Sequence, residues 1–109
     1  MTFYNLGDQQ IEVWDMGKLS QGRRFRCSSE AIALSFTTDN RFLVSSHKNG
    51  KLNIWSIVDD ELYKSYDLGG EEMIWHCFTP DNQFMVSIFR GKREANVWNN
   101  YLGRITSSR

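Results

Sequence analysis

Residues 36–55 of the chain read FTTDNRFLVSSHKNGKLNIW, and this stretch decides the fold. Two apolar runs, at 42–45 and 52–55, lie on either side of KNGK at 48–51. Asn-Gly between two such runs is the strongest short-range signal for a β-hairpin. The stretch therefore predicts two antiparallel strands joined by a tight turn, the second of which ends at Trp55.

The same pattern recurs along the chain. Residues 78–87 read FTPDNQFMVS and repeat the opening of the first stretch, whereas residues 11–15, IEVWD, show only its closing end. The tryptophans that close the three units are Trp14, Trp55 and Trp98, with spacings of 41 and 43 residues. A fixed period of about 40 to 45 residues predicts a repeated four-stranded unit.

These repeats resemble those of the WD-repeat (WD40) family. The resemblance covers nearly the whole chain and lies in the residues that open and close each unit. Its positions are Trp14, Asp15, Phe36, Asp39, Ser45, Asn49, Gly50, Trp55, Phe78, Asp81, Ser87 and Trp98. It implies an all-β fold of β-propeller blades, each a four-stranded antiparallel sheet, in an incomplete ring of about two and a half blades.

Counting from the tryptophans divides the chain into four segments. Residues 1–16 are the C-terminal end of a blade, residues 17–57 and 58–99 are WD-like repeats, and residues 100–109 supply an outer strand of a following unit. Propellers close with roughly 4 to 8 blades, and each blade buries both of its faces. We therefore expect further blades, either in a longer parent chain, which we favour because residue 1 falls inside a repeat, or in a homo-oligomer.

Charge and composition narrow the range of partners. Thirteen basic and thirteen acidic residues cancel, so the net charge gives no reason to expect nucleic acid or an anionic membrane. No apolar run approaches the ~20 residues that cross a bilayer, and the first residues lack the pattern of a secretory signal. We expect a soluble, cytoplasmic protein, with the nucleus as another intracellular location.

Few residues suggest chemistry. Cys27 and Cys77 lack a metal-type spacing, which predicts free, packed thiols rather than a disulfide or a zinc site. His76 takes the place of Leu34 in the preceding unit, which predicts a packed histidine with one hydrogen bond. We find no nucleophile elbow or phosphate-binding loop, and the acidic residues at 59–61 and 71–72 fit solvated loops. The sequence therefore predicts no enzyme and no cofactor.

WD repeats often carry a hydrogen-bonded set that joins a loop His, a turn Asp, a strand Ser and the closing Trp. This chain supplies Ser45 with Trp55 and Ser87 with Trp98. Asn49 replaces the turn aspartate, and no histidine precedes Ala31 or Met73 at a matching position. The resemblance therefore implies a divergent propeller whose blades depend more on apolar stacking than on this network.

The resemblance also implies a non-enzymatic protein–protein interaction scaffold that presents loop surfaces to a partner in a multi-subunit assembly. The residues that we expect to form the partner surface are Ser29, Glu30, Asp39, Glu71, Glu72, Asp81, Arg90, Lys92 and Arg93. One alternative is a sensor or autoinhibitory module of a nucleotide-switch ATPase. Another is an RNA-binding component of a ribonucleoprotein that uses Arg23, Arg24, Arg26 and the basic tip at 90–93. We expect a protein or peptide partner rather than a membrane or nucleic acid.

Overall fold

The structure, a computed structural model, describes residues 2–6, 10–15, 23–27, 29–59, 61–101 and 104–107. These residues form antiparallel strands in three sheets. The first blade contains β1 (Thr2–Leu6), β2 (Gln10–Asp15) and β3 (Arg23–Arg26). The second blade contains β4 (Ala31–Phe36), β5 (Phe42–His47), β6 (Lys51–Ser56) and β7 (Glu61–Asp67). The third blade contains β8 (Met73–Phe78), β9 (Phe84–Phe89), β10 (Ala95–Tyr101) and β11 (Arg104–Ser107).

The predicted hairpin is confirmed by β5 and β6, which pair with Leu43 opposite Trp55. Their connection is a three-residue loop, 48–50, closed by a hydrogen bond of 3.0 Å from the N–H of Gly50 to the carbonyl of His47. Gly50 has φ +79°, the left-handed conformation that this kind of loop requires at its last residue. Glycine takes that conformation without a steric penalty, so the local sequence specifies the loop.

The three closing tryptophans hold the same backbone place in successive sheets. Trp14, Trp55 and Trp98 lie on β2, β6 and β10, and in the backbone register they are paired with Phe3, Leu43 and Met85, respectively. An outer strand pairs with each tryptophan-bearing strand, and β7 and β11 take this place in the second and third blades. Each sheet thus includes the strand that follows its tryptophan. Because a sequence repeat ends at that tryptophan, each sheet begins and ends one strand later than the repeat.

Apolar side chains fill the two spaces between neighbouring sheets. The space between the first and second blades holds Ile11, Phe25, Cys27, Leu43 and Trp55. The space between the second and third blades holds Val44, Leu52, Ile54, Met73, Met85, Phe89 and Ile105. Because side chains alternate along a strand, adjacent residues of β5 and β6 point into different spaces, and the second blade is covered on both faces. This stacking confirms the predicted blade architecture.

The turns after β4 and β8 have one conformation, since both come from the sequence Thr-x-Asp-Asn. In the first, the N–H of Asn40 donates to the carbonyl of Thr37 at 2.9 Å, and Asn40 has φ 60°. Thr37 Oγ1 donates to Asp39 Oδ1 at 2.6 Å. The turn at 79–82 repeats each of these features. Asparagine tolerates the left-handed region, and aspartate bonds its own turn, so identical side chains give identical turns.

Gly50 lies where the hairpin loop meets the loop that follows β7. The N–H of Leu68 donates to the carbonyl of Gly50 at 2.8 Å. A Cβ atom at position 50 would stand 2.5 Å from the Cα of Gly70, which is closer than real Cβ atoms approach backbone. The position therefore needs glycine both for its φ and for the space that a side chain would occupy.

We expect Gly50→Ala to lower the free energy of unfolding by more than about 2 kcal/mol, because left-handed strain of roughly 1–2 kcal/mol is joined by the clash with Gly70. Gly91→Ala is the matched control, since Gly91 has φ +78° with nothing within 4 Å of its added Cβ. Urea unfolding of both variants measures the difference. Equal losses of stability would show that the approach of Gly50 to Gly70 contributes nothing.

Candidate functional site

A buried hydrogen-bonded chain supports Trp55. The indole Nε1–H donates to Ser45 Oγ at 2.8 Å, and Ser45 Oγ lies 2.7 Å from His47 Nε2. His47 Nδ1 lies 2.8 Å from the carbonyl of Ser29, which can only accept, so Nδ1 carries the proton and Nε2 accepts from Ser45. Burial lowers the pKa of His47, although the bond to Ser29 favours the proton, and the ring is therefore neutral at pH 7.

His47 joins the pair of Ser45 and Trp55, whereas Asn49 at the turn position accepts a bond from the N–H of Lys51 and lies outside this hydrogen-bonded chain. The set therefore still lacks the turn aspartate and the loop histidine, and a histidine from the strand takes part in their place. His47 lies at the end of β5, two residues after Ser45 and therefore on the same face of the strand. This i, i+2 spacing is the signal that could have identified it. In the third blade Phe89 takes the place of His47, and Trp98 Nε1 donates to Ser87 Oγ at 2.7 Å.

The second and third blades are joined by directional bonds as well as apolar contacts. The N–H of Thr38 donates to Asn82 Oδ1 at 2.8 Å, and Thr38 Oγ1 donates to the carbonyl of Thr79 at 2.7 Å. Deeper in the joint, Ser46 Oγ donates to the carbonyl of Met73 at 2.6 Å. These bonds fix the relative position of the two sheets, since each needs both partners in place.

His76 is buried between the inner strands β4 and β8, where it is 3% exposed. Its Nδ1 lies 2.5 Å from Ser35 Oγ, as expected for a packed histidine with one hydrogen bond. Its Nε2 has no hydrogen-bond partner among the residues that the structure describes. Burial lowers the pKa of His76 to about 4, against a smaller opposing effect of the Ala33 backbone. His76 is therefore neutral at pH 7.

The topology divides the predicted partner residues between two opposite edges of the blades. The turns after β4 and β8 lie on one edge, here called the turn edge, and it holds Asp39 and Asp81. The opposite edge, here called the charged edge, is formed by the loops that precede β4 and β8 and by the hairpin loops after β5 and β9. It holds Ser29, Glu30, Glu71, Glu72, Arg90, Lys92 and Arg93. The structure thus brings seven of the nine residues to one edge.

Ion pairs repeat along the charged edge at equivalent places of the two blades. Lys48 Nζ lies 2.9 Å from Glu30 Oε2, and Arg90 pairs with Glu72 in the same way in the third blade. Both loops are also tied by backbone bonds, from Lys48 N–H to the Glu30 carbonyl at 3.0 Å and from Arg90 N–H to the Glu72 carbonyl at 2.8 Å. Glu30, and more weakly Glu72, raise the pKa of Lys48, so the two pairs lie within electrostatic reach of each other.

The remaining residues of the charged edge flank these pairs. Lys92 Nζ lies 3.9 Å from Glu71 Oε1, a loose pair whose side chains are both more than half exposed. Arg93 is exposed, and Ser29 Oγ accepts from the N–H of Asn49 at 3.2 Å. Lys48 was not among the predicted partner residues, because its pairing with Glu30 depends on the meeting of two loops that are distant in sequence.

The carboxylates of the turn edge hold their own turns. Partial burial works to raise the pKa of Asp39, but hydrogen bonds from Thr37 Oγ1 and the N–H of Arg41 outweigh it and the pKa is lowered. The bond from Thr79 Oγ1 likewise lowers the pKa of Asp81. Both aspartates are charged at pH 7 and support the backbone, which is a structural role at positions predicted to be partner surface.

The other residues that the sequence singled out do not come together as a metal site in the part of the chain that the structure describes. Within those residues, no three His, Cys, Asp or Glu side chains are grouped so as to hold a metal ion. Burial raises the pKa of Cys27 to about 11, which keeps that residue a thiol. Arg26 is exposed, whereas for Arg23 and Arg24 the structure describes the backbone alone. Among the described residues no helix is long and apolar enough to span a membrane.

Comparison with known proteins identifies the fold. No model of a known protein family matches the chain. The structure is similar to the β-propeller domain of Cps50 (Swd1) from Myceliophteria thermophila, with a TM-score of 0.75 at 15% sequence identity. The similarity covers 96% of this chain and 34% of that one, so the chain spans about a third of the length of the structure it matches. The chain therefore has the fold of part of a β-propeller.

We expect Ser45→Ala to lower the free energy of unfolding by about 2 kcal/mol, because the buried indole N–H of Trp55 and the ring of His47 both lose a partner. Ser87→Ala is the matched control. It removes one bond to Trp98, which is half-buried and can bond water instead, so a loss below about 1 kcal/mol is expected. Chemical unfolding followed by tryptophan fluorescence measures both, and a larger loss for Ser87→Ala would contradict the importance of the His47 network.

The pH dependence of stability follows from His76. Its pKa of about 4 lies below the ordinary 6.5, so between these values the unfolded chain binds a proton that the folded chain excludes. Stability from this group is full above pH 6.5 and declines as the pH falls towards 4. We expect His76→Leu, which restores the residue type of Leu34, to flatten that decline, as measured by unfolding at pH 7.5 and pH 5. His47 remains in both proteins, and an unchanged slope would contradict the burial of a neutral His76.

Proposed function

We propose that the chain is part of a WD-repeat propeller that acts as a non-enzymatic protein–protein interaction scaffold and presents its charged edge to a protein or peptide partner. The observation that carries this proposal is the repetition of the Lys48–Glu30 and Arg90–Glu72 pairs at equivalent places on two joined blades. Loops on a rigid framework are where binding residues concentrate. We further propose that residues 17–57 and 58–99 are WD-like repeats, that residues 1–16 are the C-terminal end of a blade and residues 100–109 an outer strand of a following unit, and that the protein is cytoplasmic.

The arrangement of charge favours a protein partner. Both signs alternate along the charged edge, and alternating charges give specificity for a surface that carries the complementary pattern. Phosphate backbones need a surface of one sign, but Arg90 and Lys92 each lie beside a carboxylate, Glu72 and Glu71. A polyanion would have to compete with these carboxylates for the cations. Protein binding therefore fits the edge better than RNA binding.

The far face of the third blade supports the proposal that further blades are partners. Trp75 and Val97 on this face are 45% and 44% exposed. In the second blade the equivalent face is covered by the third blade, where Val44 and Ile54 are fully buried. Exposed apolar side chains on one sheet face are typical of a contact surface. We propose that blades from a longer chain or from other copies of this chain cover it.

A double charge reversal tests the scaffold. We expect the variant Glu30→Lys with Lys48→Glu, combined with Glu72→Arg and Arg90→Glu, to keep both ion pairs and the fold while inverting the pattern that a partner meets. Quantitative affinity capture from the source cells should show a reproducible set of proteins with the wild-type chain and their loss with the variant.

Lys64→Glu on β7 is the control, because Lys64 is exposed away from the charged edge. It changes the net charge, which the double reversal leaves at the wild-type value, and should retain the captured proteins. Circular dichroism confirms that both variants are folded. If the charge-reversed variant, folded, captured the same proteins as wild type, the charged edge would not be the recognition surface.

A further inference from the structure

A cavity of about 590 Å³ lies between the outer strands of the second and third blades and opens to solvent. Its walls come from β6 and β7 on one side and from β9, β10 and β11 on the other. Its apolar lining includes Leu52, Tyr66, Leu68, Phe89, Trp98 and Ile105. The cavity has the size and the predominantly apolar lining of a ligand-binding site.

The equivalent space between the first and second blades is filled. There Phe25, opposite Ile11 on the neighbouring strand, packs on Trp55 with ring centroids 5.1 Å apart. Trp55 is 5% exposed in consequence. Phe25 of the first blade thus covers Trp55 of the second blade, which shows that this space accommodates an aromatic ring against the closing tryptophan.

Between the second and third blades, the residue equivalent to Phe25 does not cover the closing tryptophan, Trp98. Tyr66 takes the place of Phe25, since it lies opposite Leu52 as Phe25 lies opposite Ile11. Its hydroxyl instead accepts from the N–H of Ile105 at 3.3 Å, which holds the ring at the wall of the cavity. Within the described residues Trp98 makes its ring contact with Phe89, at a centroid distance of 6.5 Å, and remains half-buried.

The rim of the cavity is acidic. Asp67 and Glu71 are its two charged lining residues, and both are exposed. Lys92 pairs loosely with Glu71 at 3.9 Å and, with Arg93, lines an adjoining cavity that shares Glu71. Asp67 Oδ1 accepts from the N–H of Gly69 at 2.9 Å, which orients the carboxylate and leaves its other oxygen available. A cation beside the cavity would therefore meet Asp67 directly and would share Glu71 with Lys92.

We propose that this cavity, here called the interblade pocket, binds an extended peptide segment of a partner protein, which inserts an aromatic side chain beside Trp98. A Lys or Arg next to that aromatic residue in the peptide pairs with Asp67 and Glu71. The inserted ring takes the place that Phe25 fills in the neighbouring space. This inference rests on the proposed scaffold function and names one surface and one kind of partner for it. Aromatic anchors in desolvated pockets dominate such interfaces.

Three blocked tetrapeptides test the pocket: Gly-Arg-Trp-Gly, Gly-Glu-Trp-Gly and Gly-Arg-Ala-Gly. NMR titration of the 109-residue chain follows the indole N–H signal of Trp98, assigned with a Trp98→Phe variant. We expect Gly-Arg-Trp-Gly to shift this signal saturably, Gly-Glu-Trp-Gly to bind about fivefold more weakly because two carboxylates repel it, and Gly-Arg-Ala-Gly to leave it unmoved. Equal shifts with all three peptides, or none with the first, would overturn the proposal.

Two variants locate the binding. Asn96→Trp fills the pocket from the strand face that carries Trp98 and should weaken Gly-Arg-Trp-Gly binding at least tenfold, whereas Val58→Trp on an exposed loop should not. Glu71→Lys should abolish the preference for arginine over glutamate, whereas Glu61→Lys on β7 should keep it. Glu71→Lys keeps the pocket open, so it tests the charge argument even if Asn96→Trp disturbs the fold. Binding unchanged by Glu71→Lys, or retained in a folded Asn96→Trp variant, overturns the assignment to this pocket.

The result is separable from the scaffold proposal. The double charge reversal leaves every residue of the apolar lining, Asp67 and Glu71 unchanged. If the wild-type chain captures proteins that the reversal loses, but no peptide shifts Trp98, the pocket inference fails and the scaffold stands. If the peptide binds and the reversal changes nothing, the pocket stands and the charged edge is not the recognition surface.

Discussion

The need to cover both faces of one sheet governs this structure. Strand residues alternate between faces, so β5 sends Leu43 towards the first blade and Val44 towards the third, and both are fully buried. A single four-stranded sheet cannot bury either set alone. The hairpin, the turns and the closing tryptophans all serve this arrangement, because each keeps the register that decides which residues face which neighbour.

Local chemistry made much of the fold predictable. Asn-Gly specified the hairpin, and Thr-x-Asp-Asn specified two identical turns, because in both cases the residues that need an unusual backbone conformation are adjacent in sequence. The equivalent positions of Trp14, Trp55 and Trp98 in successive sheets followed from their spacings of 41 and 43 residues. The role of His47 escaped prediction because the carbonyl of Ser29 meets its ring only when the loop before β4 folds over the hairpin, although the spacing from Ser45 to His47 was a local signal. The division of the predicted partner surface into two edges likewise depends on strand direction and not on residue type.

Sequence resemblance between repeats conceals differences in what fills the spaces between them. Phe25 and Tyr66 occupy equivalent strand positions and differ by one hydroxyl group. That hydroxyl bonds the backbone of Ile105, and the ring no longer covers the closing tryptophan. The interblade pocket thus follows from a polar atom that holds an aromatic ring aside. A pattern of apolar and aromatic letters cannot distinguish a filled space from an open one, because the choice depends on where one side chain finds its hydrogen bond.

The bonds that Thr38 and Ser46 make across the joint have no counterpart one blade later. Pro80 takes the place of Thr38 and has no N–H, and Ile88 takes the place of Ser46 and has no hydroxyl group. A neighbouring blade on the far face of the third blade could not form the bonds that Thr38 N–H and Ser46 Oγ make in the joint between the second and third blades. Under mechanical tension we expect such a neighbour to detach first, and the second and third blades to stay joined until a higher force.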